Sequence, residues 1–277
     1  MEDLKFSLKE IIKENQDCSN VFKRNLLKEY LQIFVLKFIY SHPVYSDLFF
    51  YGGSCIFHLF GLPRLSEDLD FVDQKKKIKL NDLASDLENY FSKNTNLNLK
   101  IKIQKFRIYL KFKILAELNL IEENKKNSDF LFLKIEICQR NFCQKYSKEI
   151  IPLFKFNQSL LIKTFDLSTL MATKIRAILF REWQQSDKKG NILIQVKGRD
   201  YFDLMWYLNQ KIKPNINCLK DIGTLPEIKE KLLNKIEKLD KRSIKLDLEA
   251  FIRDQKFLNN LGENIKNILK RDINLNF

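Results

Sequence analysis

Asp68 and Asp70, two aspartates separated by one residue, lie in the stretch LSEDLDFVD and are the first candidates for chemistry. The alternation of polar and apolar residues predicts a β-strand, in which residues two apart project from the same face. Two carboxylates held side by side repel each other unless a cation lies between them. Mg²⁺ removes that repulsion, and proteins bind it through one or two carboxylates together with substrate phosphates. The pair therefore predicts a magnesium site.

A glycine turn in the stretch YGGSCIF precedes the aspartates and supplies a second candidate site. Gly52 and Gly53 allow close approach to the backbone, and Ser54 lies where a short helix is predicted to begin, with unpaired N–H groups available to an anion. Phosphoryl and nucleotidyl transfer require an anion site and a metal site together. Taken singly, each motif has a structural alternative, in which Ser54 caps a helix and Asp70 pairs with a lysine. The occurrence of the glycine turn and the aspartate pair close together in the sequence favours a catalytic role for both.

The arrangement GGS…RLSEDLDF resembles the signature of the nucleotidyltransferase superfamily related to DNA polymerase β, and in detail that of the AbiEii/AbiGii toxin family. The resemblance implies that Asp68 and Asp70 are catalytic and bind metal ions. It also implies a nucleotide-binding set in this region, which consists of Gly52, Gly53, Ser54 and Arg64.

A third carboxylate is expected from the stretch FLFLKIEIC, which reads as a strand with Leu and Ile along one face and Glu136 on the other. The superfamily usually has a third acid on a neighbouring strand. The resemblance therefore implies that Glu136 completes the metal site or activates the attacking hydroxyl. On local sequence alone, a surface glutamate paired with Lys134 or with a cross-strand lysine is an equal alternative.

The stretch DLSTLMATKIRAILFREW predicts a buried helix, because it is apolar on nearly every side. Lys174 and Arg181 lie seven residues apart on one face, and cations on an apolar stripe are costly unless they meet anions. The alternative is that both extend to the surface with their stems packed. The toxin family carries a Lys and an Arg in the corresponding helix, so the resemblance implies that both residues bind the triphosphate and that Lys174 is catalytic.

The stretch KGRDYFDL has the form of the family's last motif, G-R-D-x-x-D-L. Asp200 and Asp203 lie in the first turn of a predicted helix, where the helix dipole favours acids whatever the function. The resemblance implies that Asp200 belongs to the active site, with Arg199 and Asp203 holding it in place. It leaves open whether Glu136 or Asp200 is the third acid.

The order of predicted elements indicates an α+β fold with two domains. Strands and helices mix up to about residue 164, and the chain is mostly helical afterwards. We expect a nucleotidyltransferase-like mixed sheet with helices over residues 1–165. A helical bundle that contributes to the active site is expected over residues 166–277.

The composition indicates which kinds of partner the protein binds and which cellular compartment it occupies. Among 277 residues, 49 Lys and Arg against 35 Asp and Glu give a net charge of +14, which attracts polyanions such as nucleic acid. Five cysteines without a CxxC pair exclude a zinc-type motif and predict free thiols in a reducing cytoplasm. The charged N-terminal stretch is not a signal peptide, and no apolar run is long enough to span a membrane.

We therefore expect a Mg²⁺-dependent nucleotidyltransferase that moves a nucleoside monophosphate from an NTP to an acceptor hydroxyl. The resemblance implies RNA as the acceptor, in particular the tRNA 3′ end. It also implies a toxin of a toxin–antitoxin or phage-defence system, with a cognate antitoxin protein. Two alternatives stay open: the same chemistry on a small molecule or a protein hydroxyl, and a catalytically idle module of this fold that binds RNA or a partner protein.

Overall fold

The chain divides into two compact units. The computed structural model describes residues 3–121, 129–139, 143, 145–182, 185–186, 192–194 and 196–277. The first unit is formed by Met1–Asn141 with Glu149–Thr164, and the second by Phe142–Lys148 with Phe165–Phe277. The first unit contains a mixed sheet with helices, and the second unit is mostly helical. The fold is therefore α+β, as predicted.

Seven strands form one sheet, which apart from two strand-end residues lies in the first unit. They are β1 Phe49–Tyr51, β2 Asp68–Val72, β3 Leu99–Gln104, β4 Arg107–Lys113, β5 Phe130–Cys138, β6 Lys148–Lys155 and β7 Gln158–Phe165. Their spatial order is β3-β4-β5-β2-β1-β7-β6. Strand β2 runs antiparallel to β1 and parallel to β5, so the sheet is mixed.

The described part of the first unit contains four α-helices, of which the last three pack against the sheet. They are α1 Leu4–Glu14, α2 Asn20–Ser41, α3 Gly52–Phe60 and α4 Leu80–Asn94. Helix α2 packs against α4 and β5, and it is buried along most of its length. Every second residue of β5 from Leu131 to Ile137 is buried, as are Leu69 and Phe71 of β2. This alternation confirms the predicted faces and leaves the polar residues of β2 and β5 on the opposite side.

The second unit is mostly helical. Its elements are α5 Leu167–Phe180, the short strands β8 Gln185–Ser186 and β9 Ile192–Ile194, α6 Gly198–Asn209, α7 Leu225–Glu237, α8 Lys241–Leu248 and α9 Gln255–Asn276. Helix α6 packs against α5, α8 and α9, and most of its residues are buried. Aspartates cap three of the helices in the manner typical of N-termini, namely Asp166, Asp240 and Asp254. Among the described helices, none is long and apolar enough to cross a membrane.

The cysteines correct one expectation from the sequence. Cys143 and Cys218 form a disulfide within the second unit, with their Cα atoms 4.9 Å apart. The thiols of Cys18, Cys55 and Cys138 are free, as expected. The prediction of five free thiols was wrong for the bonded pair because its members are 75 residues apart in sequence, and only the fold brings them together.

Candidate active site

The polar face of the sheet brings the predicted metal-binding acids together in the first unit. Strand β2 pairs in parallel with β5, so that Asp68 lies opposite Lys134 and Asp70 lies opposite Glu136. All four side chains project from the same face, because each strand alternates its residues between the two sides. All four residues are half-buried, so they combine partial desolvation with access from solvent.

Lysine and arginine side chains neutralise two of these acids. The Nζ atom of Lys134 lies 2.8 Å from Asp68 Oδ2 and 2.7 Å from Glu136 Oε1. On the neighbouring strand β4, Arg107 Nε lies 2.9 Å from the same Glu136 oxygen. The lysine contact that the sequence left as an alternative for Glu136 is therefore present.

Burial and neighbouring charges shift the pKa values of Asp68 and Lys134. Burial, with a further contribution from the neighbouring charge of Glu67, raises the pKa of Asp68 above its ordinary value. Burial alone would lower the pKa of Lys134, but the carboxylates of Asp68 and Glu136 outweigh it and raise that pKa. The lysine is therefore a permanent cation at neutral pH.

The glycine turn lies directly against the second aspartate. Tyr51 at the end of β1 is paired with Asp70 in β2, and α3 begins at the next residue, Gly52, two residues earlier than the sequence predicted. Gly52 has a φ of +80°, and a Cβ on it would lie 2.5 Å from Asp70 Oδ2. A Cβ on Gly53 would lie 2.8 Å from an Nη atom of Arg64. Glycine is favoured at both positions because charged side chains occupy the space that a Cβ would need, and at Gly52 the positive φ favours it as well.

Ser54 and Arg64 are both buried and make contacts within the first unit. The Ser54 hydroxyl donates to the carbonyl of Asp68 and so ties α3 to β2. A hydroxyl has a single donor, so the nucleotide-binding role predicted for Ser54 would fall to its backbone N–H. Arg64 Nη1 donates to the carbonyl of Leu65 at 2.8 Å. Its guanidinium lies beside the start of α3, where the resemblance placed a nucleotide contact.

The acids of β2 and β5 have the chemistry that Mg²⁺ needs, with one condition. Carboxylate oxygens are its preferred ligands, and Asp68 and Asp70 supply them from one strand. Within the described residues, however, no group of three or more His, Cys, Asp or Glu side chains is arranged to hold a metal ion. The ammonium of Lys134 lies between Asp68 and Glu136 instead. The residues fit a divalent ion if Lys134 moves away from Asp68.

The predicted residues of the second unit form a separate buried cluster. Lys174 Nζ on α5 lies 2.8 Å from Asp200 Oδ1 and 2.7 Å from Asp203 Oδ2 on α6. Arg181 Nη1 lies 2.6 Å from Asp200 Oδ2. Burial alone would raise the pKa of Asp200, but Lys174 and Arg181 hold it well below its usual range. The anions that the apolar stripe of α5 needs are therefore supplied by α6.

A comparison with known protein families identifies the family of the chain. The family model of the AbiEii nucleotidyl transferase toxin, a type IV toxin–antitoxin system, matches residues 38–271. The chain belongs to the AbiEii nucleotidyltransferase toxin family. The chain is thus a nucleotidyltransferase, and membership of a type IV toxin–antitoxin family implies an NTP substrate and an antitoxin partner. Nucleotidyltransferases of this kind generally use a divalent metal.

Solved structures show a related fold at low sequence identity. The crystal structure of JHP933 from Helicobacter pylori is 20% identical with a TM-score of 0.51, and the match covers 91% of this chain and 90% of that one. A structure described as a candidate nucleotidyltransferase from H. pylori is 18% identical with a TM-score of 0.49, and the match covers 90% of this chain and 93% of that one. The first match supports a similar fold and nothing further. No conclusion is based on the second match. No curated protein matches the chain.

The matched AbiEii range contains every site residue predicted from the sequence, and the structure gathers them in two groups. The first unit holds the glycine turn with Asp68, Asp70 and Glu136, and the second holds Lys174 with its partners. Sequence reasoning missed two positions, Arg107 and Asp247. Arg107 lies opposite Glu136 in β4, which the alternation of the predicted hairpin could have indicated. Asp247 accepts from the backbone and side chain of Arg199 at 2.9 and 3.3 Å, and no local pattern signals that contact.

Proposed function

We propose that this AbiEii-family protein transfers a nucleoside monophosphate from an NTP to a hydroxyl of RNA, in particular at the tRNA 3′ end, with Mg²⁺ as the metal. The position of Asp70 is the observation that supports it most strongly. Its carboxylate lies against Gly52 at the start of α3 on one side and opposite Glu136 on the other. Asp70 thus lies beside the glycine turn that is proposed to bind an anion, and it also lies opposite a second carboxylate. Nucleotidyl transfer needs this combination of an anion site and a metal site.

The start of α3 is the proposed phosphate site. The first N–H groups of a helix have no partner within the helix and carry the positive end of its dipole. Tyr51, the residue before the helix, makes no capping hydrogen bond with its side chain. Gly52 and Gly53 add no side chain that would keep a phosphate away. Triphosphate contacts of Lys174 and Arg181, and a catalytic role of Asp200, stay predictions from the family resemblance.

The carboxylates are the proposed metal ligands and proton acceptor. Asp68 and Asp70 would hold Mg²⁺, which when bound lowers the pKa of the acceptor hydroxyl and neutralises the leaving phosphates. The hydroxyl oxygen attacks the α-phosphorus, the bond from that phosphorus to the bridging oxygen breaks, and pyrophosphate leaves. Glu136 is proposed to take the hydroxyl proton. The ammonium of Lys134 must leave Asp68 for this arrangement to form.

An RNA acceptor fits the charge of the chain. The net charge of +14 creates a field that concentrates polyanions near the surface. Action on tRNA would place the protein in the cytoplasm. Its family supports the proposal that this chain is the toxin of a phage-defence or toxin–antitoxin pair.

A labelling experiment tests the proposal. The purified chain is incubated with MgCl₂, each α-³²P-labelled NTP in turn, and either purified tRNA or total lysate. Label on tRNA supports the proposal, because the α-phosphate stays with the transferred monophosphate. A parallel reaction with γ-³²P-labelled NTP should give no label. Periodate oxidation of the tRNA 3′ end before the reaction should abolish labelling if that hydroxyl is the acceptor.

The same experiment separates the alternatives. Label on a protein or a small solute would replace RNA with another acceptor. Tight RNA binding without label on any component would support a catalytically idle RNA-binding module. Asp70→Asn provides the matched inactive control for each reaction.

A further inference from the structure

A basic pocket in the second unit contains none of the proposed metal ligands in its lining, although Arg181 and Asp200, assigned above from the family resemblance, form part of one wall. It has a volume of about 270 Å³ and lies among α5, α6, the residues before α6, and α7. Ligand pockets span roughly 300–1,000 Å³, so this one lies just below that range. Its charged lining consists of Arg181, Lys197, Lys235, Lys238, Glu182 and Asp200. The lining therefore carries four cations and two carboxylates.

The buried carboxylate of this pocket, Asp200, is already engaged by cations, one of which is the lining residue Arg181. Asp200 accepts from Lys174 at 2.8 Å and from Arg181 at 2.6 Å. Arg199, at the start of α6, lies 3.3 Å from Asp247. Glu182 is exposed and is one charge against three lysines. The lining therefore has an excess of positive charge.

Lys197 is the lining lysine whose surroundings oppose its charge most clearly. It is half-buried, and burial together with the positive charges of Arg199, Arg181 and Lys174 lowers its pKa to about 8. A partly buried ammonium among like charges raises the free energy of the folded protein. An anion in the pocket would remove that penalty, whereas a neutral or cationic ligand would not.

We propose that this pocket binds a phosphate group through Lys197, Lys235 and Lys238. Lysine ammonium groups bind phosphate as point charges, and three of them converge here without requiring a fixed orientation of the ligand. A nucleotide polyphosphate and an RNA backbone share this chemistry, and either could supply the group. The inference extends the proposed function, but phosphate binding here does not require transfer to occur.

Binding measurements on the full chain without divalent metal test this site. Inorganic tripolyphosphate is titrated by calorimetry, and a fluorescein-labelled single-stranded RNA is titrated by anisotropy over a range of salt concentrations. Lys197→Met should weaken binding of at least one probe by about tenfold or more. Lys197→Arg, which keeps the charge, should restore most of it. Lys256→Met removes the same charge from an exposed position on α9 and should leave both affinities unchanged.

A second variant guards against misfolding of the first. The double substitution of Lys235→Met and Lys238→Met changes a half-buried residue of α7 and the exposed residue that follows this helix, and it should weaken the same probe. For RNA, the slope of log K against log salt should become shallower by about 0.7 for each phosphate that the variant no longer neutralises. Weakening limited to tripolyphosphate identifies a nucleotide site, and weakening limited to RNA identifies a backbone site.

The proposal is overturned if neither probe binds the unmodified protein, or if the pocket variants bind as tightly as Lys256→Met. Asp70→Asn distinguishes this result from failure of the proposed reaction. That variant should lose transfer, whereas adding Lys197→Met to it should still weaken phosphate binding, since Lys197 lies in the second unit. Binding through Lys197 in a protein that labels no acceptor would contradict the proposed function and leave this site standing.

Discussion

The ammonium of Lys134 lies 2.8 Å from a carboxylate oxygen of Asp68, because the parallel register of β2 and β5 places the two residues opposite each other. The same nitrogen contacts Glu136 at 2.7 Å. A cation of the chain therefore contacts Asp68, one of the two carboxylates that the proposed reaction assigns to a metal ion. In that reaction Lys134 and the metal ion would compete for Asp68.

Substitution of Lys134 by Met should make the protein less stable without metal and more responsive to it. Removing the ammonium leaves Asp68 and Glu136 without this counter-ion, which should lower the free energy of unfolding by about 1–3 kcal/mol. Mg²⁺ should then raise the melting temperature more than it does in the unmodified protein. Thermal melts at increasing MgCl₂ measure both effects.

The exposed Lys102 of β3 provides the control, because Lys102→Met removes the same charge from the same sheet. Its Mg²⁺ response should match that of the unmodified protein. An equal response in the Lys134 variant would mean that the lysine and the metal do not share a site.

Asp70→Asn should abolish nucleotide transfer and leave the fold intact. The change removes a proposed metal ligand while it relieves a repulsion between like charges. Several kcal/mol of transition-state stabilisation depend on the metal, so activity should fall by about 100-fold or more. The transfer assay and a circular dichroism melt give the two readouts. Asp82→Asn, at an exposed position of α4, should retain activity, and transfer by the Asp70 variant would refute the metal assignment.

Gly52→Ala should disrupt the site more than it disrupts the fold. Its Cβ would lie 2.5 Å from Asp70 Oδ2, whereas a Cβ on Gly61 would have no atom within 4 Å. Both glycines have a similar positive φ, +80° and +76°, so alanine should cost each about 1–2 kcal/mol of stability. Only the Gly52 variant should lose Mg²⁺-dependent stabilisation and transfer. Equal loss in both variants would assign the effect to backbone strain.

The sequence predicts the acids of the first unit because their faces depend on local periodicity. Period-two alternation is enough to place Asp68 with Asp70 and to put Glu136 on the polar side of β5. It does not give the register between β2 and β5, and that register puts Lys134 between two of the acids. The opposing residue in a parallel pair is determined by tertiary structure, which periodicity within one strand does not contain.

Local sequence patterns do not predict contacts between segments that are distant in the chain. The sequence indicates that cations on the buried face of α5 need anions, but the carboxylates that meet Lys174 come from α6, about 26 residues later. The disulfide of Cys143 with Cys218 is hidden for the same reason. The charge requirement is local, whereas the partner that meets it is chosen by helix packing.

Lys174→Met should destabilise the second unit strongly, because Asp200 and Asp203 are both buried and would lose a partner at 2.8 and 2.7 Å. Breaking a buried ion pair by removing one member costs about 3–5 kcal/mol. Urea denaturation measures the loss. Addition of Asp203→Asn to the same chain should recover part of the stability, since one uncompensated charge is then removed.

The double variant also separates a structural role of Lys174 from nucleotide binding. The family resemblance predicts that NTP affinity stays reduced after stability is recovered. Recovery of both properties together would show that the lysine acts only on the fold.

Lys197 should give the protein a distinct rise in stability at alkaline pH. Its pKa is lowered from the ordinary 10.5 to about 8, so between these values the unfolded chain holds a proton that the folded chain has released. Because the unfolded state then binds more protons, the free energy of unfolding increases with pH through this window, by an amount on the order of 3 kcal/mol. The charged groups around Lys197 are Lys174, Arg181, Glu182, Arg199, Asp200, Lys235 and Lys238.

The contribution of Lys197 can be isolated by difference. Urea denaturation of the unmodified protein and of Lys197→Met is compared from pH 7 to pH 10.5, so that titrations common to both proteins cancel. The difference in unfolding free energy should change in favour of the unmodified protein as the pH rises above 8, because the variant has no buried charge to release. Lys256→Met should run parallel to the unmodified protein throughout. Parallel curves for Lys197→Met as well would show that this ammonium is solvated and that the pocket carries no excess charge for an anion to neutralise.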